Sequence, residues 1–319
     1  MQFRDIRAFL AIVEAGSIRG AAQKLGVSQP ALTKTLRALE SRLGVPLMLR
    51  SVHGVSPTEY GRALIPRATL INEEFLRASE ELSQMAGHKG GYVSIGISPV
   101  VSLFMGATAL SRLWKRHPLA NVHIVHGQYE YLIAGIQEGK LDFSIGPIPR
   151  FPLDTRIETE LLFRHRIVPA VRQGHPLAKA RSLADLQKSN WLLPSVDLLF
   201  HSYISQDFLD HGLSPPRVAI SCESFPALIE LITQTDLVAA VPSTLLKHRS
   251  ISKIITEIKV KEKTFFTSIG LMRHSAVPLT PIAETLAREF RRLSQSFEKD
   301  EGGGRVLSSP LPMMGVRGR

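Results

Sequence analysis

Apolar residues Ile6, Phe9, Leu10, Ile12 and Val13 recur at helical spacing up to Gly16, which predicts a first helix stopped by a glycine. Ser17 stands as the N-cap of a short second helix that Gly26 ends. Ser28 starts a third, where Pro30 is tolerated in the first turn because its missing N–H would have had no partner there. On that helix Ala31, Leu32, Leu36, Leu39 and Leu43 fall on one face, leaving Gln29, Thr33, Lys34 and Arg37 on the other. After Gly44 the period changes, and two short segments flank a His53-Gly54 turn as a β-hairpin. From Thr58 to Ala86 the pattern is helical again. Leu64, Ala68, Ile71, Phe75, Ala78, Leu82 and Met85 alternate spacings of four and three, a seam about three heptads long that predicts pairing with another helix. Pro66 is expected to bend this helix near its start. Glu73, Glu74, Glu80 and Glu81 are assigned to its solvated side.

Gly87-His88-Lys89-Gly90-Gly91 breaks the pattern and is taken as a domain boundary. Strand and helix then alternate: strand 92–97, helix 102–115, strand 122–125, helix 129–138 and strand 142–145. That βαβαβ order predicts a parallel sheet covered by helices. Further strands are expected at 163–171, 190–193, 217–221, 237–240 and 265–272, with helices at 200–211, 225–233 and 281–297. Two such subdomains leave a cleft at the strand ends, where small ligands bind in open α/β sheets. The Gly- and Pro-rich tail, 300–319, has no periodicity and is expected to be disordered.

The chain has 319 residues, enough for two or three domains, and a formal net charge of +11, which favours an anionic partner. Its one cysteine, Cys222, excludes an internal disulfide framework and suits a reducing compartment. Charges in the first seven residues, and the lack of any apolar run near 18 residues, predict a cytoplasmic protein without a membrane segment. An enzyme is the main alternative class. Cys222 has no histidine partner fixed by the sequence and is read as a buried structural thiol. His123 and His126, three apart in a strand, point to opposite faces and make poor joint metal ligands. No P-loop, GxSxG or HExxH is present. His165 and His201 are read as surface or hydrogen-bonded residues. No catalytic residue, metal or cofactor is therefore expected.

Two short helices joined by a Gly-containing turn form a helix-turn-helix pattern, in which the second helix presents its N-terminal residues to base edges. The run from Gly16 to Gly61 resembles the N-terminal winged helix-turn-helix of the LysR-type transcriptional regulators. The resemblance is carried by Ala21, Ala22, Leu25, Ser28-Gln29-Pro30-Ala31, Leu39-Glu40, Leu43-Gly44, Leu47, Arg50, Thr58 and Gly61. Met48, His53 and Pro57 depart from the family pattern. The first and last are read as packing variants, and His53 as a weaker phosphate contact than the arginine common there.

The DNA-binding residues are then Ser28, Gln29, Pro30, Thr33, Lys34, Arg37, Arg50 and His53. Gln29 and Thr33 are placed at base edges, and Lys34, Arg37, Arg50 and His53 near phosphates. The resemblance implies a DNA-binding domain at 1–58, a linker helix and hinge at 59–90, and an effector domain at 91–299 like a type 2 periplasmic binding protein. One subdomain would span 92–163 and 269–297, the other 164–268. It further implies double-stranded promoter DNA and RNA polymerase as partners, a homodimer through the linker helix, and a homotetramer. Thr235-Asp236-Leu237-Val238 replaces the glycine-rich loop that the family usually has before its Ile-Ala-x-x-Pro strand.

Candidate effector contacts follow from position: Ser98, Val100 and Ser102 after the first strand, Ser195 and Phe200 after the 190–193 strand, and Ser224 and Phe225 at a later helix start. A serine N-cap needs no ligand to explain it. Three helix starts facing one cleft nonetheless predict a small organic anion as inducer.

Overall fold

The computed structural model describes residues 2–51, 54–87, 90–127, 129–149, 154–193, 198–262 and 266–298. The predicted tail, 300–319, and Ser195 lie outside them.

Three helices form the first core: α1 (Phe3–Ala15), α2 (Ile18–Leu25) and α3 (Gln29–Leu43). Ile6, Phe9, Ile12, Ala21, Ala22, Leu32, Leu36 and Leu39 are buried together, as their spacing predicts. Ala31 and Leu43 are exposed, because the buried stripe of α3 is narrower than its apolar pattern. Strands β1 (Met48–Ser51) and β2 (Gly54–Pro57) make the hairpin, with Arg50 opposite Val55. The Glu40 carboxylate accepts from the N–H groups of Leu47 (2.8 Å) and Met48 (3.2 Å), fixing the entry to the hairpin. Met48 is buried in this core, in keeping with its reading as a packing variant.

Helix α4 (Glu59–Met85) is capped by Thr58, whose hydroxyl accepts from Gly61 N–H (2.9 Å) and donates to Pro46 O (2.7 Å). It runs on through Pro66 without interruption. A Cβ at position 61 would run into the Leu47 carbonyl, so only glycine lets α4 start this close to the hairpin. Along the seam Leu64 and Ala68 pack against the first core, whereas Ile71, Phe75, Leu82 and Met85 are exposed. The four glutamates are not a solvated side: all are half-buried, and Glu80 accepts from Tyr92 N–H (3.2 Å). That bond reaches the first strand of the second half of the chain, a neighbour that a helical wheel cannot show.

The second half is built on one sheet of nine strands, in the order β4-β3-β5-β11-β6-β9-β7-β8 with β10 beside β6. Strands β3 (Gly90–Ile97), β4 (Leu119–His126) and β5 (Phe143–Ile148) are parallel, as are β7 (Asn190–Leu193), β8 (Arg217–Ser221) and β9 (Val238–Pro242). The two parallel sets are joined by antiparallel strands β6 (Ile157–Arg172) and β11 (Phe266–His274). Up to Arg166, β6 pairs with β11; from Ile167 it pairs with β9, and the short β10 (Ile255–Glu257) pairs with its end. Helix α10 (Pro281–Glu298) buries Ile282, Leu286 and Phe290 against the first set.

The helix expected at 102–115 begins earlier. Ser98 is the N-cap of α5 (Pro99–Val101), which continues through a π-helical turn (Ser102–Gly106) into α6 (Ala107–Arg116). Helices α7 (Tyr129–Gln137), α8 (Leu198–Asp210) and α9 (Phe225–Gln234) fall where predicted. The non-glycine loop before β9 is closed by its own side chains. Thr235 Oγ1 donates to Leu231 O (2.6 Å), and Asp236 accepts from Arg172 (2.8 Å).

Candidate DNA-reading face and effector cleft

Ser28 Oγ accepts from Ala31 N–H (3.3 Å) and starts α3 in the open, with Gln29 and Pro30 exposed beside it. One turn on, Thr33 is half-buried and Lys34 exposed; Arg37 is exposed a turn further. Of the basic residues nearby, Lys24 pairs with Glu14 and Arg42 with the buried Asp5 (3.1 Å). The first turns of α3 present an amide, a hydroxyl and two cations unpaired among the described residues, opposite the buried Leu32, Leu36 and Leu39. Arg50 lies in β1; His53 lies outside the described residues. The hairpin is tied to the helices by Val55 N–H, which donates to Gly16 O (2.9 Å). Gly54, at φ 126°, meets that same carbonyl so closely that a side chain would displace it.

Two chambers open at the carboxyl ends of the sheet. The inner, about 690 Å³ of empty space when counted out into open solvent, is lined mainly by apolar residues, among them Pro99, Val100, Phe225 and Leu245. Ser98, His165 and Thr267 also line it, and Ser98 Oγ, His165 Nδ1 and Thr267 Oγ1 are buried without a hydrogen-bond partner among the described residues. His165 and Thr267 are cross-strand partners on β6 and β11. Burial holds the His165 imidazole neutral, its pKa lowered to about 4. His165 is thus neither a surface residue nor, at Nδ1, a bonded one. The outer chamber, about 1390 Å³ when counted out into open solvent, shares Pro99, Glu223 and Phe225 with the inner and adds Ser102, His126, Glu130, Tyr131 and Ser224.

Of the sequence-predicted contacts, Ser98, Val100, Ser102, Ser224 and Phe225 come together at these chambers. Ser102 lies inside the helical run rather than at its start, because the run begins at Pro99. Phe200 lies in α8, and Ser195 outside the described residues. Cys222 follows β8, is half-buried and lines the inner chamber, so it is not the buried strand thiol expected. Sequence reasoning missed His165, Thr267, Glu130, Tyr131 and Glu223. The first two meet only through β6–β11 pairing, which has no local signal; Glu223 adjoins the predicted Ser224 and was within reach. Among the described residues, no group of three or more metal-ligating side chains gathers and no helix is long and apolar enough to cross a membrane.

A winged helix-turn-helix with an exposed polar helix start, joined by a long helix to a two-part α/β unit with a cleft, defines a ligand-responsive DNA-binding regulator. Residues 3–62 match the family described as "Bacterial regulatory helix-turn-helix protein, lysR family", and residues 86–295 match the LysR substrate binding domain. The chain belongs to the LysR family of transcriptional regulators, which are not enzymes. It is 28% identical over 318 residues to the HTH-type transcriptional regulator GbpR of Azospirillum brasilense, covering 98% of this chain and 91% of that one. It is 25% identical over 254 residues to the HTH-type transcriptional regulator TdcA of Escherichia coli strain K12, covering 80% and 81%. The fold is that of CbnR, a LysR family transcriptional regulator, at TM-score 0.68 and 23% identity over 92% of this chain and 99% of that one. Full-length CbnR in complex with its target DNA gives the same TM-score at 24% identity, covering 92% and 100%.

Proposed function

We propose that the protein reads a promoter through α3 as a dimer joined by α4, and that a small molecule in the two-chamber cleft sets whether RNA polymerase engages. The carrying observation is the exposed start of α3, where Gln29, Lys34 and Arg37 stand opposite a buried leucine face with no side-chain partner among the described residues. Gln29 and Thr33 take the base edges. Lys34, Arg37, Arg50 and His53 take phosphates, with Ser28 and Pro30 setting the helix start. Two-fold pairing along the exposed Ile71, Phe75, Leu82 and Met85 puts two such helices on neighbouring major grooves of a near-palindromic site. A pair of dimers makes the homotetramer that bends the promoter.

In the cleft, Ser98, Val100 and Phe225 hold the inner end of the effector, and Ser102 and Ser224 flank the outer. Ser195 and Phe200 are proposed as further contacts. The helix starts that favoured a small organic anion are offset by Glu130 and Glu223, while no lysine or arginine lines either chamber among the described residues. This balance supports an effector without net negative charge.

Binding to DNA selected from a random pool tests the reading. Gln29→Ala is expected to relax sequence preference. Arg37→Ala is expected to weaken binding to all sequences and lower the salt slope by about one. Equal, sequence-independent losses from both would refute the assigned roles.

A further inference from the structure

The two chambers differ in what they offer a ligand. Inside, Ser98 and His165 are 4% and 2% exposed, and their Oγ and Nδ1 atoms find no protein partner. With Thr267 Oγ1 they form a neutral polar set in a wall that is otherwise apolar except for Cys222 and for Glu223 where it opens to the outer chamber. Buried polar atoms are normally satisfied, so three unsatisfied ones on one cavity point to an occupant with a hydrogen-bonding group at its apolar end. Outside, Glu130 in the first turn of α7 and Glu223 just before α9 line the same space. Among the described residues neither carboxylate is in an ion pair, and His126 is the one basic side chain lining the chamber. Tyr131, 63% exposed, and Phe225 add aromatic faces there. Two unpaired carboxylates beside aromatic rings form an environment suited to a cation, by charge attraction and by the negative face of the ring.

We infer that the effector is an amphipathic organic amine. Its apolar end, carrying a hydroxyl or carbonyl, enters the inner chamber to meet Ser98, His165 and Thr267. Its ammonium lies in the outer chamber with Glu130 and Glu223. This rests on the reading of the cleft as the effector site and fixes the ligand's charge.

Cys222 supplies the test. It is the only cysteine of the chain and lines the inner chamber, so a thiol reagent can reach it through the cleft and the double variant below reports how far it does. On the full-length protein at pH 8, a trimethylammonium-bearing methanethiosulfonate is compared with its sulfonate counterpart, each rate normalised to a small free thiol. The cationic reagent is expected to be favoured at Cys222 by about tenfold. In the variant carrying Glu130→Gln and Glu223→Gln, both exposed and shape-preserving changes, the preference should fall to within about twofold of the free thiol. A wild-type ratio at or below the free-thiol value, or one unchanged in the double variant, would overturn the inference.

Matched probes then give the ligand arm: tyramine, 4-hydroxyphenethyl alcohol and 4-hydroxyphenylacetate, which share one skeleton and differ in terminal charge. Tyramine should protect Cys222 and raise Tm most; best protection by the carboxylate would overturn the inference. Should none protect, the reagent ratio alone decides. An amine that protects Cys222 yet leaves DNA binding unchanged would sustain the cation site and refute its regulatory role.

Discussion

Arg77, in the last third of α4, holds Asp142, just before β5, with its Nε 3.0 Å from Asp142 Oδ1. One terminal nitrogen of the same guanidinium donates to Gly139 O (2.7 Å) and Leu141 O (3.0 Å). Asp142 in turn accepts from Ser94 N–H (2.8 Å), so one ion pair clamps the linker helix to two strands of the effector unit. Burial raises the Asp142 pKa, and Arg77 is the main influence opposing it.

Replacing Arg77 by methionine should leave a buried carboxylate without its counter-charge and cost about 3 kcal/mol at neutral pH. A raised carboxylate pKa means that folding is favoured by protonation. Stability therefore falls as pH rises from the unfolded value to the folded one, and Arg77→Met extends that window upward. Denaturant titrations should show a larger loss at pH 7.5 than at pH 4.5, with Asp142→Asn partly restoring the variant. A pH-independent loss would remove this account.

Gly61 and Gly44 separate two reasons for glycine. Gly61→Ala forces a methyl group into the Leu47 carbonyl and should cost about 3 kcal/mol, with loss of DNA binding as the hairpin shifts. Gly44 has φ 72° and open space around it, so Gly44→Ala should cost about 1 kcal/mol from backbone conformation alone. Thermal unfolding of both variants ranks them, and equal shifts would show that the contact is relieved by a small movement.

His165 contributes a pH dependence of the same origin as that of Asp142, burial, but of opposite sign. Its folded pKa of about 4 lies below the ordinary histidine value, so the unfolded chain takes the proton first. Stability present above pH 6.5 is lost as pH falls towards 4, by at most about 1.4 kcal/mol per pH unit. His165→Leu should flatten the stability profile in that window; an unaltered slope would assign the acid lability elsewhere.

The exposed part of the α4 seam should decide oligomeric state. Leu82→Glu with Met85→Glu places charges on residues that are 66% and 72% exposed in the single chain, so folding should be little changed. The mass by light scattering should drop, and affinity for a two-half-site DNA should fall far more than for one half-site. An unchanged mass would place the dimer contact elsewhere.

Much of the reading head was legible in the sequence because its signals are local. Ser17, Ser28 and Thr58 cap helices within three residues of themselves, and Gly16, Gly26 and Gly44 end them at positive φ. In the effector unit the parallel strands and helices α7, α9 and α10 were equally local. Strand β6 was recognised from Phe163 onward but not from Ile157, since Glu158 and Glu160 interrupt its apolar run and find their arginines, Arg273 and Arg291, on β11 and α10. The cleft was legible only along its helix starts. Its floor is made by His165 opposite Thr267, about a hundred residues apart, and its charge comes from glutamates that resemble any others until the fold sets them on one cavity.

The pairing of β6 with β11 also bears on inheritance. The chain enters the second parallel set once, after Arg166, and leaves it once, before Phe266, and these two residues face each other across the pair. The intervening hundred or so residues form a cassette whose two ends already meet. A short turn could replace it, or a different cassette enter, while α3, α4 and the first strand set keep their connectivity. Such an exchange renews the walls that carry Glu223 and Phe225 and leaves Ser98, His165, Thr267 and Glu130 in place, so one recombination event retunes the sensor by half while the promoters it serves stay as they were.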